Sequence, residues 1–141
     1  MPKQRLEKDF SNILKEIEHI WWQKFYHVMG AYTTVPADYI VLTTNNNYLI
    51  ECKECRNKSF IFSRLTQLSD LISFDSKGDN YISYILICFW QKTRKNSLYY
   101  LIDILEFKSF MQRINKKSAN INDFKSTFSS INMDDLHKIF N

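Results

Sequence analysis

The sequence predicts an α/β sandwich around a mixed central β-sheet, and three features predict it. An amphipathic helical stretch opens the chain. A hairpin-like pair of apolar runs surrounds an Asn-Asn-Asn turn. Alternating helical and strand patterns follow. In the first stretch Leu6, Phe10, Ile13, Leu14, Ile17 and Ile20 recur at helical spacing with charges between them, giving a helix over roughly residues 4 to 20. Trp21, Trp22, Phe25 and Tyr26 form an aromatic cluster suited to a core or an oligomer interface. Tyr39 to Thr44 reads as a strand, and Tyr48 to Lys53 reads as its return. Asn45 to Asn47 form the turn, because Asn tolerates left-handed backbone. Asn57 to Ser59 break the pattern, and Leu65, Leu68, Leu71 and Ile72 mark a second helix. Tyr81 to Trp90, rich in β-branched and aromatic residues, is a long buried strand. Leu98 to Ile102 is the next strand and Leu105 to Ile114 the next helix. Beyond Lys117 the pattern weakens, with a short helix over Met133 to Phe140.

The chain has 141 residues, 45% hydrophobic and 24% charged, which suits one domain over 1–141 with a single core. Two glycines and two prolines leave no candidate interdomain linker. Three cysteines, Cys52, Cys55 and Cys88, in no framework spacing argue against a disulfide-stapled fold. With no basic-then-apolar opening, and no apolar run longer than Ile82 to Trp90, the expected location is cytoplasmic, with no membrane span. The net charge of +4 is modest, but Gln91 to Ser118 carry Lys92, Arg94, Lys95, Lys108, Arg113, Lys116 and Lys117 against Asp103 and Glu106. Seven minus two leaves +5 there, enough to meet phosphates, although a solvated charged face reads the same way.

The sharpest local feature is Pro36-Ala37-Asp38 followed by Glu51-Cys52-Lys53. Strand side chains alternate, so Glu51 and Lys53 share a face while Cys52 points away. Two charges on one face of an apolar strand are costly if buried alone. The hairpin brings Asp38, 13 residues upstream, within reach of Glu51. Two carboxylates beside a lysine make a hard-oxygen site for Mg²⁺ or Mn²⁺, the arrangement phosphodiester hydrolysis uses. A plain surface salt bridge between Glu51 and Lys53 is the alternative.

The Asp…Glu-x-Lys arrangement resembles the PD-(D/E)xK nucleases. Flanking segments resemble the RecU-like Holliday junction resolvases of phages and Gram-positive bacteria, particularly the short phage-type members. These segments are Arg5 to Phe10, Tyr48 to Lys53, and Lys58-Ser59-Phe60-Ile61-Phe62 with Arg64 and Gln67. Ile102-Asp103-Ile104 with Phe107, and Lys116-Lys117-Ser118, complete the set. The resemblance spans roughly residues 4 to 120. It implies a restriction-endonuclease-like core, Asp38 and Glu51 as metal ligands with Glu7 as a third acid, and Lys53 as the catalytic lysine. It also implies that Gln67 positions the site, and that Lys58, Arg64, Lys116 and Lys117 hold DNA. The implied activity is Mg²⁺-dependent resolution of four-way junctions in recombination or repair. The glycine-rich stretch that many relatives carry before the aspartate is missing here, and the aromatic run Trp21 to Tyr26 stands in its place. Symmetric cutting of two strands asks for a C2 homodimer, formed through the Trp21–Tyr26 aromatics or through the Tyr81–Trp90 strand. A sequence-selective or repair- or transposition-type nuclease, or a non-catalytic DNA-binding module, could use the same fold.

Other motifs point nowhere. Cys52-x-x-Cys55 has no second pair for zinc, and His19, His27 and His137 are scattered without metal or triad spacing. No phosphate-cradling glycine loop is present, so no nucleotide cofactor is expected.

Overall fold

The computed structural model describes residues 5–26 and 35–141. Five strands form the central sheet: β1 (Trp21–Lys24), β2 (Tyr39–Leu42), β3 (Asn47–Cys55), β5 (Tyr81–Phe89) and β6 (Leu98–Asp103). Their order is β1-β2-β3-β5-β6. The β3–β5 pair is parallel and the other neighbours are antiparallel, so the sheet is mixed as the sequence predicts. A small ribbon of β4 (Ser59–Ile61) and β7 (Ser118–Asn120) stands apart from it. The parallel step requires a crossover, which α2 (Leu68–Asp75) supplies.

The strands β3 and β5 alternate apolar residues toward both faces, and each face receives its own helical layer. On one face α2, α3 (Ile104–Ile114) and α4 (Ile121–Thr127) contribute Leu71, Phe107, Phe110 and Phe124 against Leu49, Ile85, Ile87 and Tyr100. On the other, α1 (Arg5–Glu16) and α5 (Leu136–Ile139) set Leu6, Phe10, Leu14 and Leu136 against Tyr39, Val41, Ile50 and Leu86. Phe124 lies within ring-contact distance of Phe89, Tyr100, Phe107, Phe110 and Phe128. At 0% exposure, its truncation to Ala would cost about 3–5 kcal/mol.

Several expectations are corrected. The first helix stops at Glu16, and the chain turns at His19, whose φ of 65° lies in the left-handed region. The aromatic run then becomes the edge strand β1. Only Trp22 and Phe25 pack against the cores, while Trp21 (56% exposed) and Tyr26 (68%) face solvent. The hairpin turn does not use left-handed Asn: Thr43 N–H donates to the Asn46 carbonyl, and Asn46 N–H donates to Thr43 Oγ1. The second helix begins only at Leu68, and Leu65 instead closes a 3-10 turn at Phe62–Arg64. The stretch after Lys117 is ordered into β7 and α4, where Asn120 and Asp123 close a capping box. The strand β5 lies inside the sheet between β3 and β6, so it cannot be a subunit interface. Among the described residues, no helix is long and apolar enough to cross a membrane.

Candidate active site

The hairpin register pairs Tyr39 with Ile50, and the Asp38 amide also donates to the Ile50 carbonyl at 3.1 Å, so the one-to-one pairing ends there in a bulge. The bulge leaves Asp38 beside Glu51, close enough for its charge to act on that carboxyl. The Asp38 side chain closes the ladder: its Oδ2 accepts from the Cys52 N–H at 2.8 Å, which fixes the carboxylate against β3. On that strand Lys53 Nζ reaches Glu51 Oε2 at 3.1 Å. The pair is not a surface salt bridge, since the Glu51 side chain is 2% exposed and that of Lys53 15%. On β5 the registered neighbours of Glu51 and Lys53 are Ile85 and Ile87, both fully buried.

Burial among these apolar neighbours, followed by the nearby Asp38 charge, pushes the Glu51 carboxyl up to about 8, while Lys53 pulls it down. One Glu51 oxygen, Oε1, is buried without a hydrogen-bond partner, and so is Oε1 of Gln67 at the start of α2. Both are acceptors left without donors, an arrangement that costs about 1–3 kcal/mol each unless something positive fills it. Carboxylate oxygens of this kind hold Mg²⁺ or Mn²⁺, and the donor set of Asp38 and Glu51 fits such an ion.

Glu7, Asp38, Glu51, Lys53 and Gln67, named from sequence, all line one cleft of about 510 Å³, with Lys24, Glu54, Arg56 and Arg64 on its walls. The cleft opens where β2 begins while β3 runs on, so side chains from both sheet faces meet around that strand end. Two contacts hold α1 there. The Glu54 carboxylate accepts from the Leu6 N–H at 2.9 Å, satisfying a donor in the helix's first turn. The buried Tyr39 hydroxyl donates to the Glu7 carbonyl at 2.9 Å and meets Ser11 Oγ at 2.6 Å. The Glu7 carboxylate is paired: Oε1 lies 3.4 Å from Lys24 Nζ. Among the described residues, no three His, Cys, Asp or Glu side chains group closely enough to hold a metal together.

The four basic residues named for DNA sit on different elements. Arg64 lines the cleft, with its guanidinium on the Glu54 carbonyl at 3.1 Å. Lys58 and Lys117 sit at opposite ends of the β4–β7 ribbon: Lys58 beside Ile121, Lys117 beside Phe62. Lys116 is exposed on the turn before β7. In the basic stretch, Arg94 is committed to Asp9 through two hydrogen bonds at 2.8 and 3.0 Å. Asp103 caps α3 by accepting from the Leu105 N–H.

Cys52 and Cys55, three residues apart on β3, point into opposite cores, so the C-x-x-C cannot act as a pair of zinc ligands. Burial pushes the Cys55 thiol up to about 11 and the Cys88 thiol up to about 12, so both stay protonated. His19 is exposed beside Glu18, His137 contacts Glu16 and the Asp134 carbonyl, and His27 lies outside the described residues.

Sequence reasoning missed Lys24 and Arg56. Lys24 lies inside the aromatic segment that suits a core or an oligomer interface, and a lone lysine there gives no signal of its own. Arg56 follows Glu54 at the strand spacing that makes their 2.7 Å ion pair, a signal the E-x-K pattern overshadowed.

No protein-family model matches the chain, and no curated protein matches it. Its likeness is to solved structures. One is Hjc of Archaeoglobus fulgidus, a Holliday junction resolvase from an archaeal hyperthermophile. The TM-score is 0.58 at 12% identity, over 94% of this chain and 98% of that one. The fold is restriction-endonuclease-like. At this identity the likeness is one of fold; what the cleft does rests on this chain's own residues.

Proposed function

We propose that this chain is a divalent-metal-dependent endonuclease of the PD-(D/E)xK type that cuts branched DNA, with the four-way junction as its substrate. The observation that carries the reading is the convergence of Asp38, Glu51 and Lys53 at one cleft, with Glu51 Oε1 buried and unpaired. A restriction-endonuclease-like fold, seen also in a protein described as a Holliday junction resolvase, supports it.

Asp38 and Glu51 would hold Mg²⁺, or Mn²⁺ on the same oxygens. Bound there, the ion supplies charge neutralisation at the scissile phosphate and a lowered pKa for water. The chain's own groups do the rest. Lys53 Nζ has donors beyond the one that meets Glu51, and they serve the attacking water or the charge that grows on the phosphoryl oxygens. Gln67 Oε1, an acceptor without a donor, accepts a hydrogen bond from that water and orients it. Asp38, fixed by the Cys52 amide, keeps its geometry through the reaction.

Cutting two opposed strands of a junction asks for two such sites related by a twofold axis, so we place the enzyme as a homodimer. Among the described residues, Trp21 and Tyr26 on and beside the edge strand β1 supply exposed aromatic surface for that contact. Recognition would be by phosphate contacts and shape, because a branch is defined by geometry.

Purified protein incubated with a synthetic four-way junction should nick it in Mg²⁺ and not in EDTA. Asp38→Asn, Glu51→Gln and Lys53→Ala should each lower the rate at least a hundredfold while the junction stays bound. Wild-type cutting by the Glu51 variant would refute the proposed site. Linear duplex and flap substrates run alongside decide the substrate: equal cutting of all three would reject junction preference.

A further inference from the structure

We infer that a duplex arm leaving the cleft is held by a second surface of this chain, the groove between Lys58, Lys125 and the β5–β6 turn, which is joined to the cleft by the Arg5–Trp90–Arg56 cluster. This rests on the nuclease reading above.

The parallel strands β3 and β5 end together, with Cys55 registered on Phe89. The next residue, Trp90, stays tied to β3: its N–H donates to the Cys55 carbonyl at 2.9 Å. Two guanidiniums stand over its half-buried ring, Arg5 at 4.9 Å from the centroid and Arg56 at 5.2 Å. They come from the start of α1 and from the turn after β3, and Arg56 also lines the cleft. Trp90 thus gathers two positive charges at the cleft's lip.

Beyond Trp90 lies a groove of about 420 Å³, with Lys58, Gln91, Asn96, Asn122 and Lys125 among its walls. Three separate stretches supply these side chains, and each is fixed in place. The Lys58 carbonyl accepts from the Ile121 N–H at 2.8 Å, which joins the turn after β3 to the start of α4. Lys125, four residues after Ile121, shares that face of the helix. On the other wall the buried Ser97 hydroxyl accepts from the Gln91 N–H at 2.9 Å and donates to the Thr93 carbonyl at 2.8 Å, which shapes the turn carrying Gln91 and Asn96.

No carboxylate lines the groove. Asp123, next to it on α4, is committed to the Asn120 N–H at 2.9 Å in the capping box. Among the described residues neither Lys58 nor Lys125 has a carboxylate partner. Two uncompensated ammoniums with three amide side chains around a concavity suit phosphate oxygens, which accept from both kinds of donor. The polyanion already in the neighbouring cleft is DNA, so its backbone is the occupant that fits.

The test measures affinity for a labelled four-way junction by anisotropy in EDTA across a salt series, on the full chain. One phosphate contact contributes a slope of about 0.9 in log K against log salt, equivalent to about eightfold in affinity at 0.1 M. Lys58→Gln and Lys125→Gln, both exposed, should each lose about eightfold and flatten the slope by about 0.9. Lys125→Arg should keep the parental slope, which a damaged fold would not. Lys77→Gln removes the same charge from the exposed loop at the opposite end of β5 and should change neither quantity. A second readout locates the contact. With the native cysteines buried, Asn122→Cys can be alkylated with an azidophenacyl group, which should photo-cross-link to a duplex arm where the same group on Lys77→Cys does not. In a parent that binds and cuts junctions, parental slopes in both glutamine variants, or an Asn122→Cys adduct that cross-links no better than the Lys77→Cys adduct, overturn the inference alone. A parent that neither binds nor cuts a junction overturns the nuclease reading and this inference with it.

Discussion

Replacing Glu51 with Gln should make the metal-free protein more stable above pH 6, and the pH dependence of that gain is a direct probe of the cleft. In the folded chain burial and Asp38 lift the carboxyl from 4.5 to about 8. Between those values the folded state keeps a proton that the unfolded chain has released, so stability falls as pH rises and levels off above 8. At 1.36 kcal/mol per pH unit, the full rise corresponds to about 5 kcal/mol. Gln mimics the protonated carboxyl, and the attraction of Lys53, whose side chain is 15% exposed, is already contained in that raised value. A gain of about 4 kcal/mol at pH 8 follows, or roughly 10 °C in melting temperature for a chain of this size. The assay is thermal unfolding of both proteins in EDTA from pH 5 to 9, read as the difference curve so that other carboxyls cancel. Adding Mn²⁺ should raise the wild type more than the variant, because only it offers the ion both carboxylates. Parallel curves across pH 5 to 8 would refute the claim that Glu51 is a strained, site-forming acid.

Further outcomes follow from neighbouring contacts. Because Glu51 holds a proton at pH 7, Mn²⁺ uptake at that pH should release close to one proton, read as a dependence of calorimetric heat on buffer ionisation. Tyr39→Phe removes the hydroxyl that ties the sheet to the Glu7 carbonyl and to Ser11, and should cost about 1–2 kcal/mol in urea unfolding. Asp103→Ala removes the cap of α3 and should cost about 1 kcal/mol by the same measurement, with cutting unchanged. The buried, protonated Cys55 and Cys88 should resist a thiol reagent at pH 8 until the chain is unfolded; reaction within seconds in native buffer would contradict their burial.

Runs of β-branched and aromatic residues bounded by turn residues are a strong local signal, which is why the hairpin, β5 and β6 were legible. The facing of Glu51, Lys53 and Cys52 was legible because side chains alternate along a strand. Register follows from that facing once Tyr39 pairs with Ile50, so Asp38 beside Glu51 was derivable. What the sequence hid depended on tertiary context. Trp21 to Lys24 carry no alternation that separates core from edge, and only the pairing with β2 decides it. The segments β4 and β7 are three residues each, too short to show a period, and exist because they pair with each other across the chain from 62 to 117. The separate fates of Lys58 and Lys117 follow from that ribbon, since antiparallel pairing sends its two basic flanks to opposite ends.

The same comparison says why the cleft forms at this place in the fold. Inside a sheet every backbone group is paired and every side chain packed, so a charged cluster has room only where a strand ends beside one that continues. The strand β2 begins at Tyr39, whereas its neighbour β3 runs on to Cys55. Over those additional residues β3 carries Glu51, Lys53 and Glu54 in place of an apolar series, beside Ile85 and Ile87 on β5. The apolar neighbour makes the carboxylate expensive to ionise, and the missing neighbour leaves space to approach it. A site on the closed part of the sheet would have the first property without the second, and an exposed loop the second without the first. Extending β2 backward over Asp38 should therefore remove cation binding even with every acidic residue retained. Replacing Asp38 with Val tests the complementary half: the acid is lost, but the strand end stays open. If such a variant bound Mn²⁺ as tightly as the parent, Glu51 alone would be the site, and the paired-carboxylate account would fall.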